Sequence, residues 1–263
     1  MATANMSLAH IPQDTVSHPV YEIVEGDPAS RFLILCDHAS NHVPEQYGNL
    51  GLAESELGRH IGYDIGAAAV TRGVAERLGA TAVFSRYSRL LIDPNRGEHD
   101  ASLILSVSDG TPVPGNKDIS DAERSERIDT YYRPYHDAID ATIDAMIAGG
   151  VTPALVSIHS FTPVFAGVRR EWDVGVLWDT DRAFAEALID RLAEDPDLIV
   201  GDNEPYSGKA PEYSTLQRHA ARRSLPHVLV EIRQDLIGEE AGAEAWAERL
   251  ATILRDLDVR TTP

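Results

Sequence analysis

The sequence predicts an α/β fold, a mainly parallel or mixed sheet flanked by helices. Two observations predict it. Short, nearly continuous apolar runs such as RFLILC, residues 31–36, suit strands buried on both faces. Longer stretches with apolar residues at helical spacing separate them, and strands alternating with helices build a parallel sheet through crossover connections.

Residues 31–36 give the first strand. Residues 61–78, IGYDIGAAAVTRGVAERL, carry a helical pattern that Gly79 stops. TAVF at 81–84 is the next strand, followed by the irregular, polar SRYSRLLIDPNR. Residues 97–121 form a long loop, of a length that in compact domains often marks a lid or a binding loop. Residues 122–148 are helical, with Pro134 expected to end or kink the first part. ALVSI at 154–158 and DVGVLW at 173–178 are strands, the second leading into a helix over 182–193. A short strand over 198–201, the strand HVLVEI at 227–232 and an amphipathic helix over 241–257 complete the pattern. With no repeat, low-complexity tract or linker, a single domain over residues 21–263 is expected behind a loosely held segment, residues 1–20.

Composition narrows the function. The chain has 263 residues, 43% of them apolar and 25% charged, the balance of an ordinary globular protein. A formal net charge of −19 repels phosphate backbones, so no nucleic-acid partner is expected. Its single cysteine rules out an internal disulfide and suits a reducing compartment. Without a run of about 18 apolar residues or a basic head followed by an apolar stretch at the start, neither a membrane partner nor export is expected, and a cytoplasmic location is. A small anionic substrate would need cations supplied locally against this acidic background.

Ligands of open α/β sheets bind outside the carboxyl ends of the strands. The polar residues following each strand are therefore the candidates. Asp37 and His38 follow the first strand, and Arg86, Arg89, Asn95 and Arg96 follow the TAVF strand. His159 and Ser160 follow ALVSI, and Glu231 and Arg233 close the HVLVEI strand. Asp64 stands at the front of the helix after the first loop. Two His and one carboxylate, plus water, complete a tetrahedral zinc site with an open position. A separate carboxylate can serve as general base toward water whose pKa the ion lowers to about 7. On this reading His38, Asp64 and His159 hold one Zn2+ and Glu231 is the base, although the spacings are too wide for a local metal motif. A carboxylate ending an apolar strand is costly to bury unless paired or functional, and the bland alternative for Glu231 is an ion pair with Arg233.

The segments CDHASNHVP, HIGYDIGAAAV, SRYSRLLIDPNR, LVSIHSFTPVF, GDNEPYSG and VEIRQDLI occur in an order that resembles the N-formylglutamate amidohydrolase family over roughly residues 20–255. The resemblance implies a three-layer, phosphorylase/hydrolase-like fold shared with zinc carboxypeptidases and zinc-dependent cell-wall amidases. It implies a zinc amidohydrolase that takes N-formyl-L-glutamate, or another N-acyl amino acid, to formate or the corresponding acid and the free amino acid. Carried over, His38 and His159 match the two His ligands, Asp64 the acidic ligand and Glu231 the base. Zinc carboxypeptidases place a Glu three residues after the first His, where this chain has Asn41, so Glu54 or Glu56 are alternatives to Asp64. The Asn95–Arg96 pair looks similar to the pair that binds the terminal carboxylate in those enzymes. With Arg86, Arg89 and Arg233 it forms the expected substrate-binding set, since the arginine fork matches a carboxylate.

Other residues draw blander expectations. Cys36 is expected to be a buried small hydrophobe rather than a nucleophile. His42 takes a loop role, His60 lies on the exposed side of a helix start, and His136, His219 and His227 have no partner that the sequence names. Asp37 can orient a ligand imidazole, and Tyr206 can reach the site from its loop. Two rival readings stand beside the amidohydrolase: a zinc peptidase or amidase acting on peptide-like amides, and a non-catalytic protein that binds an anionic metabolite.

Overall fold

The structure is a computed structural model describing residues 18–209 and 215–261. The segment expected over residues 1–20 lies, as far as residue 17, outside the described residues. In chain order the strands are β1 (Tyr21–Val24), β2 (Phe32–Cys36), β3 (Thr81–Ser85), β4 (Val107–Ser108), β5 (Thr111–Pro112) and β6 (Ala154–Phe161). They continue with β7 (Val164–Phe165), β8 (Val168–Arg169), β9 (Val174–Leu177), β10 (Val200–Asp202) and β11 (His227–Arg233). The helices are α1 (Glu54–Leu57), α2 (Ala67–Leu78), α3 (Asp121–Arg127), α4 (Arg133–Ala148), α5 (Arg182–Leu192), α6 (Thr215–His219) and α7 (Glu240–Thr261).

Seven strands form one sheet in the spatial order β1-β3-β2-β6-β11-β9-β10. Its centre, β3-β2-β6-β11, is parallel. β1 and β9 run antiparallel to their neighbours β3 and β11, so the sheet is mixed. β2 and β6 are buried along their whole length, as their unbroken apolar runs require when helices cover both faces. Alternate residues supply the two cores. Ile34, Val156 and Val230 face α2, α5 and α7, whereas Leu35, Leu155 and Leu229 face α4 and α6. The expected three-layer architecture is thus observed. A third cluster, built on Leu50, Leu91, Leu103, Val113 and Tyr132, lies under the long loops.

Several boundaries differ from the sequence reading for physical reasons. β1 was not expected; it is a four-residue, half-buried edge strand with no strong alternation. The helix expected from residue 61 starts at Ala67, because Gly66 holds a left-handed φ of 82° and the preceding residues are turns. Pro134 neither ends nor breaks its helix. It sits in the first turn of α4, where its missing N–H costs little, just after a single wider, π-type turn over Ile128–Tyr132. The 97–121 loop is pinned toward its C-terminal end, at Asn116. Asn116 Nδ2 donates to the Leu90 and Leu105 carbonyls at 2.7 and 2.8 Å, and the fully buried Arg127 donates to Asn116 Oδ1 at 2.7 Å.

Gly66 couples fold to site. A Cβ there would stand 2.2 Å from the Ile237 carbonyl oxygen, and the backbone angle already disfavours any side chain. Gly66→Ala is expected to cost about 2–4 kcal/mol in urea unfolding. A loss under about 0.5 kcal/mol would show that the turn ahead of α2 yields freely.

Candidate active site

The carboxyl ends of the parallel strands bring the predicted residues together. His38 leaves β2, His159 lies near the end of β6, and Glu231 lies near the end of β11 as the direct register partner of His159. Neighbouring residues in register point to the same face, so Glu231 and His159 face one another's space. Asp64 comes from the turn before α2. Its N–H donates to the His38 carbonyl at 3.0 Å, and the Ser160 hydroxyl donates to the Ile65 carbonyl at 2.8 Å, which fixes the turn against both strands.

His38, Asp64 and His159 converge as a buried group of possible metal ligands, their ligating atoms all within 4.8 Å of one another. Asp64 Oδ2 lies 3.2 Å from His38 Nδ1 and 2.8 Å from His159 Nδ1. Each ring gives its other nitrogen to a second carboxylate. His38 Nε2 donates to Asp93 Oδ1 at 2.7 Å, and His159 Nε2 to Asp37 Oδ2 at 3.1 Å. That fixes both Nδ1 atoms toward the centre, the carboxylate–histidine arrangement typical of metal ligands. Asp37 is itself held by Tyr135 Oη at 2.8 Å, Thr215 Oγ1 at 3.0 Å and Ser157 Oγ at 3.2 Å. Burial works against charge on the His159 ring, but its bonds to Asp37 and Asp64 outweigh this and hold its pKa well above the usual imidazole range.

Glu231 is buried, and its Oε2 has no hydrogen-bond partner. Burial pushes its carboxyl up to about 7, opposed by the charge of His159. The ion pair with Arg233 is not formed. The donor set fits a zinc-type ion: two imidazoles and one carboxylate as ligands, and an unpartnered carboxylate beside them.

Arg89 is at the site. Its Nη2 donates to Asp93 Oδ2 at 2.7 Å and its Nη1 reaches Asp64 Oδ1 at 3.5 Å. Asn95 and Arg96 lie on the same loop. Asn95 Oδ1 accepts from the Thr215 N–H at 3.3 Å, and no carboxylate among the described residues pairs with the Arg96 guanidinium. The other two arginines are placed elsewhere. Arg86 binds Glu22 at 2.7 Å at the β1 edge, and Arg233 binds Asp173 at 2.8 Å and Asp235 at 2.7 Å. Both are structural ion pairs: Arg86 is held at the β1 edge, and Arg233, although it shares the Glu231 face of β11, is claimed by Asp173 and Asp235.

The alternatives to Asp64 fall away. Glu54 is exposed and Glu56 pairs with Arg59 on the short α1. Cys36 is sealed on the opposite face of the sheet, where burial pushes its thiol up. The three histidines without an expected partner all have one. His136 Nδ1 lies 2.8 Å from His219 Nε2, His219 Nδ1 is 2.8 Å from Asp140, and His227 Nε2 is 2.7 Å from Asp179. His60 is half-buried, 3.2 Å from Asp109, and His42 packs against His18 in a tilted arrangement with ring centroids 4.4 Å apart. Sequence reasoning missed Asp93, Tyr135 and Thr215. Of these only Asp93 left a signal, a carboxylate directly after the apolar LLI.

The sequence pattern of the family described as N-formylglutamate amidohydrolase matches residues 30–238. The chain belongs to that family, and hence among the amidohydrolases. A gene product of Agrobacterium tumefaciens with a known crystal structure is 36% identical, with a TM-score of 0.86 over 91% of this chain and 96% of that one. The crystal structure of N-formylglutamate amidohydrolase from Ralstonia eutropha JMP134 shares 21% identity and a TM-score of 0.71, covering 91% of this chain and 97% of that one. At that identity the likeness shows the shared fold. No curated protein matches the sequence. Among the described residues no helix is long and apolar enough to cross a membrane.

The unpartnered Glu231 carries a stability cost with a definite sign. Its folded pKa, about 7, lies above its ordinary value of 4.5, so the fold binds the proton more tightly than the unfolded chain does. Stability from this group is full below pH 4.5 and is lost as pH rises through 7. In metal-stripped protein, Glu231→Gln is expected to raise the Tm by several degrees at pH 8 and to leave it nearly unchanged at pH 4.5. Equal shifts at the two pH values would mean that the carboxyl is not held in a desolvated place.

Proposed function

We propose that the chain is a metal-dependent amidohydrolase of N-formyl or N-acyl amino acids, with N-formyl-L-glutamate, cleaved to formate and L-glutamate, as the favoured substrate. The observation that carries the reading is a buried His38–Asp64–His159 group beside a buried carboxylate with an unpartnered oxygen. Family membership supports the amide class and the formyl substrate. A Zn2+ ion held by those three residues would supply Lewis acidity at the amide carbonyl and acidify water.

The chain's own residues supply the remaining chemistry. Glu231, poised near neutrality, takes a proton from the attacking water as the new C–O bond forms. It then passes that proton to the amide nitrogen as the C–N bond breaks, so acid and free amine leave in balance. Arg89, which reaches Asp64 beside the ligand group, is the cation proposed to stabilise developing negative charge on the carbonyl oxygen. Asn95 and Arg96 offer an amide and a cation without an ion-pair partner to the α-carboxylate of the substrate. Asp37 and Asp93 do not touch the substrate; they hold the imidazoles in the correct tautomer.

Release of formate from N-formyl-L-glutamate by the freshly purified protein, followed after dialysis against chelator and again after adding Zn2+, tests the metal. Activity is expected to vanish on dialysis and return with the ion. Metal-free protein that turns over at the full rate would refute the mechanism. Glu231→Gln is expected to lower kcat by roughly 10²- to 10⁴-fold while the substrate still binds. A variant that keeps its rate would remove Glu231 from the chemistry. A panel including dipeptides then separates formyl amino acids from peptide-like amides.

A further inference from the structure

Two arginines are buried among the described residues, Arg127 and Arg170. Arg127 has its charge answered: it pairs with Glu123 and donates to Asn116 and to the Leu91 and Gly115 carbonyls, leaving only its Nε without a partner. Arg170 differs. Its Nη1 donates to Tyr206 Oη at 2.8 Å, and no carboxylate among the described residues pairs with it. Aromatic rings enclose it instead, with its guanidinium carbon 4.5 Å from the Tyr206 ring centre, 4.8 Å from Phe165 and 5.7 Å from Phe161. Faces of aromatic rings offset part of the lost hydration of a cation, but they do not replace a counter-ion. In a chain of net charge −19, carboxylates are abundant. A desolvated arginine without one is therefore set up to receive an anion from outside.

Its position says which anion. Phe161 lies two residues beyond His159 on β6, on the same face of the sheet. Tyr206 comes from the loop after β10, is bonded to Arg170, and lies near enough to Glu231 and Arg89 for their charges to act on its hydroxyl. Because Arg170 donates to the Tyr206 oxygen, the phenolic O–H is free to donate in turn. Tyr206 is 42% exposed and Phe165, on the β7-β8 hairpin, is 42% exposed, so the box opens at the lip of the site. Arg89, by contrast, already answers Asp93 and Asp64.

We propose that Arg170, together with the Tyr206 hydroxyl, binds the side-chain carboxylate of an acidic N-acyl amino acid and sets the preference for glutamate-like over neutral side chains. This rests on the reading of the site as an N-acyl amino acid hydrolase. Arg96 and Asn95 take the α-carboxylate, and Arg170 takes the second one. A dicarboxylic substrate thus spans the site with its amide over Glu231.

Kinetics with N-formyl-L-glutamate and N-formyl-L-glutamine, which differ only in that charge, test the assignment. The original protein is expected to favour the glutamate substrate. Arg170→Gln is expected to lower the ratio of kcat/KM values by roughly 10- to 100-fold, chiefly through KM for the glutamate substrate, and Arg170→Lys to recover part of it. A purely structural role would reduce both substrates in proportion, and an unmoved ratio overturns the proposal. If Arg170→Gln does not fold, Tyr206→Phe keeps the ring and removes the hydroxyl. It is then expected to lower the same ratio by a smaller factor, and no change overturns the proposal. If neither formyl substrate is turned over, the functional reading fails separately. Calorimetric titration of glutarate into zinc-loaded protein then decides on Arg170 alone. Binding at least about tenfold weaker in Arg170→Gln supports the anchor, and equal binding, or none to either protein, overturns it.

Discussion

The site depends on one carboxylate shared by two imidazoles. Asp64 Oδ2 lies within 3.2 Å of both Nδ1 atoms while buried from solvent. So many charged groups at the end of an apolar sheet are tolerable only because each is answered by another. Asp93 and Asp37 answer the rings from behind, and Arg89 answers Asp93 and Asp64. Removing one partner would leave a buried charge uncompensated, which costs more than the pair itself contributes. The parallel strands make this arrangement possible, because β6 and β11 place His159 and Glu231, and the turn directly after β2 places His38, at one edge of the sheet.

Glu231 stands outside that balance. Every other carboxylate in the centre has at least two donors, whereas Glu231 Oε2 has none. A fold selected only for stability would place an apolar residue there, since β11 is otherwise an unbroken buried strand. On the proposed function, the destabilised carboxyl is what would make the group useful, as a base whose affinity for protons matches neutral water chemistry. Stability and function pull in opposite directions at this position, and the surrounding core of Val228, Val230 and Ile232 carries the difference.

What was legible in the sequence follows the same division. Buried parallel strands announce themselves as apolar runs, so β2, β3, β6 and β11 were readable, and with them the residues at their ends. The half-buried edge strand β1 was not, because four residues of mixed character carry no period. Asp64 was found although it lies on a turn rather than a helix; the helical spacing of residues 61–66 concealed Gly62 and Gly66 as the turn formers. Ion pairing between distant segments leaves no local trace. Arg86 and Arg233 sit beside the right strands, but Glu22 and Asp173 claim them. Tyr135 and Thr215, which hold Asp37 from α4 and α6, are likewise far away in the chain.

Charge explains why arginine placement, more than arginine number, decides function here. Against a background of −19 an anionic substrate meets repulsion at long range, which salt screens beyond about 8–10 Å. Attraction must therefore be local, from cations whose charge is not already spent within the protein. Arg59, Arg77 and Arg133 are committed to surface carboxylates, so they contribute little to such a field. A guanidinium held among aromatic rings is different. The rings exclude water and lower the local dielectric, so the same unit charge attracts an incoming anion more strongly. On the proposed assignment, selectivity for a second negative charge arises in an acidic protein without any basic patch, from a buried cation that no carboxylate among the described residues pairs with.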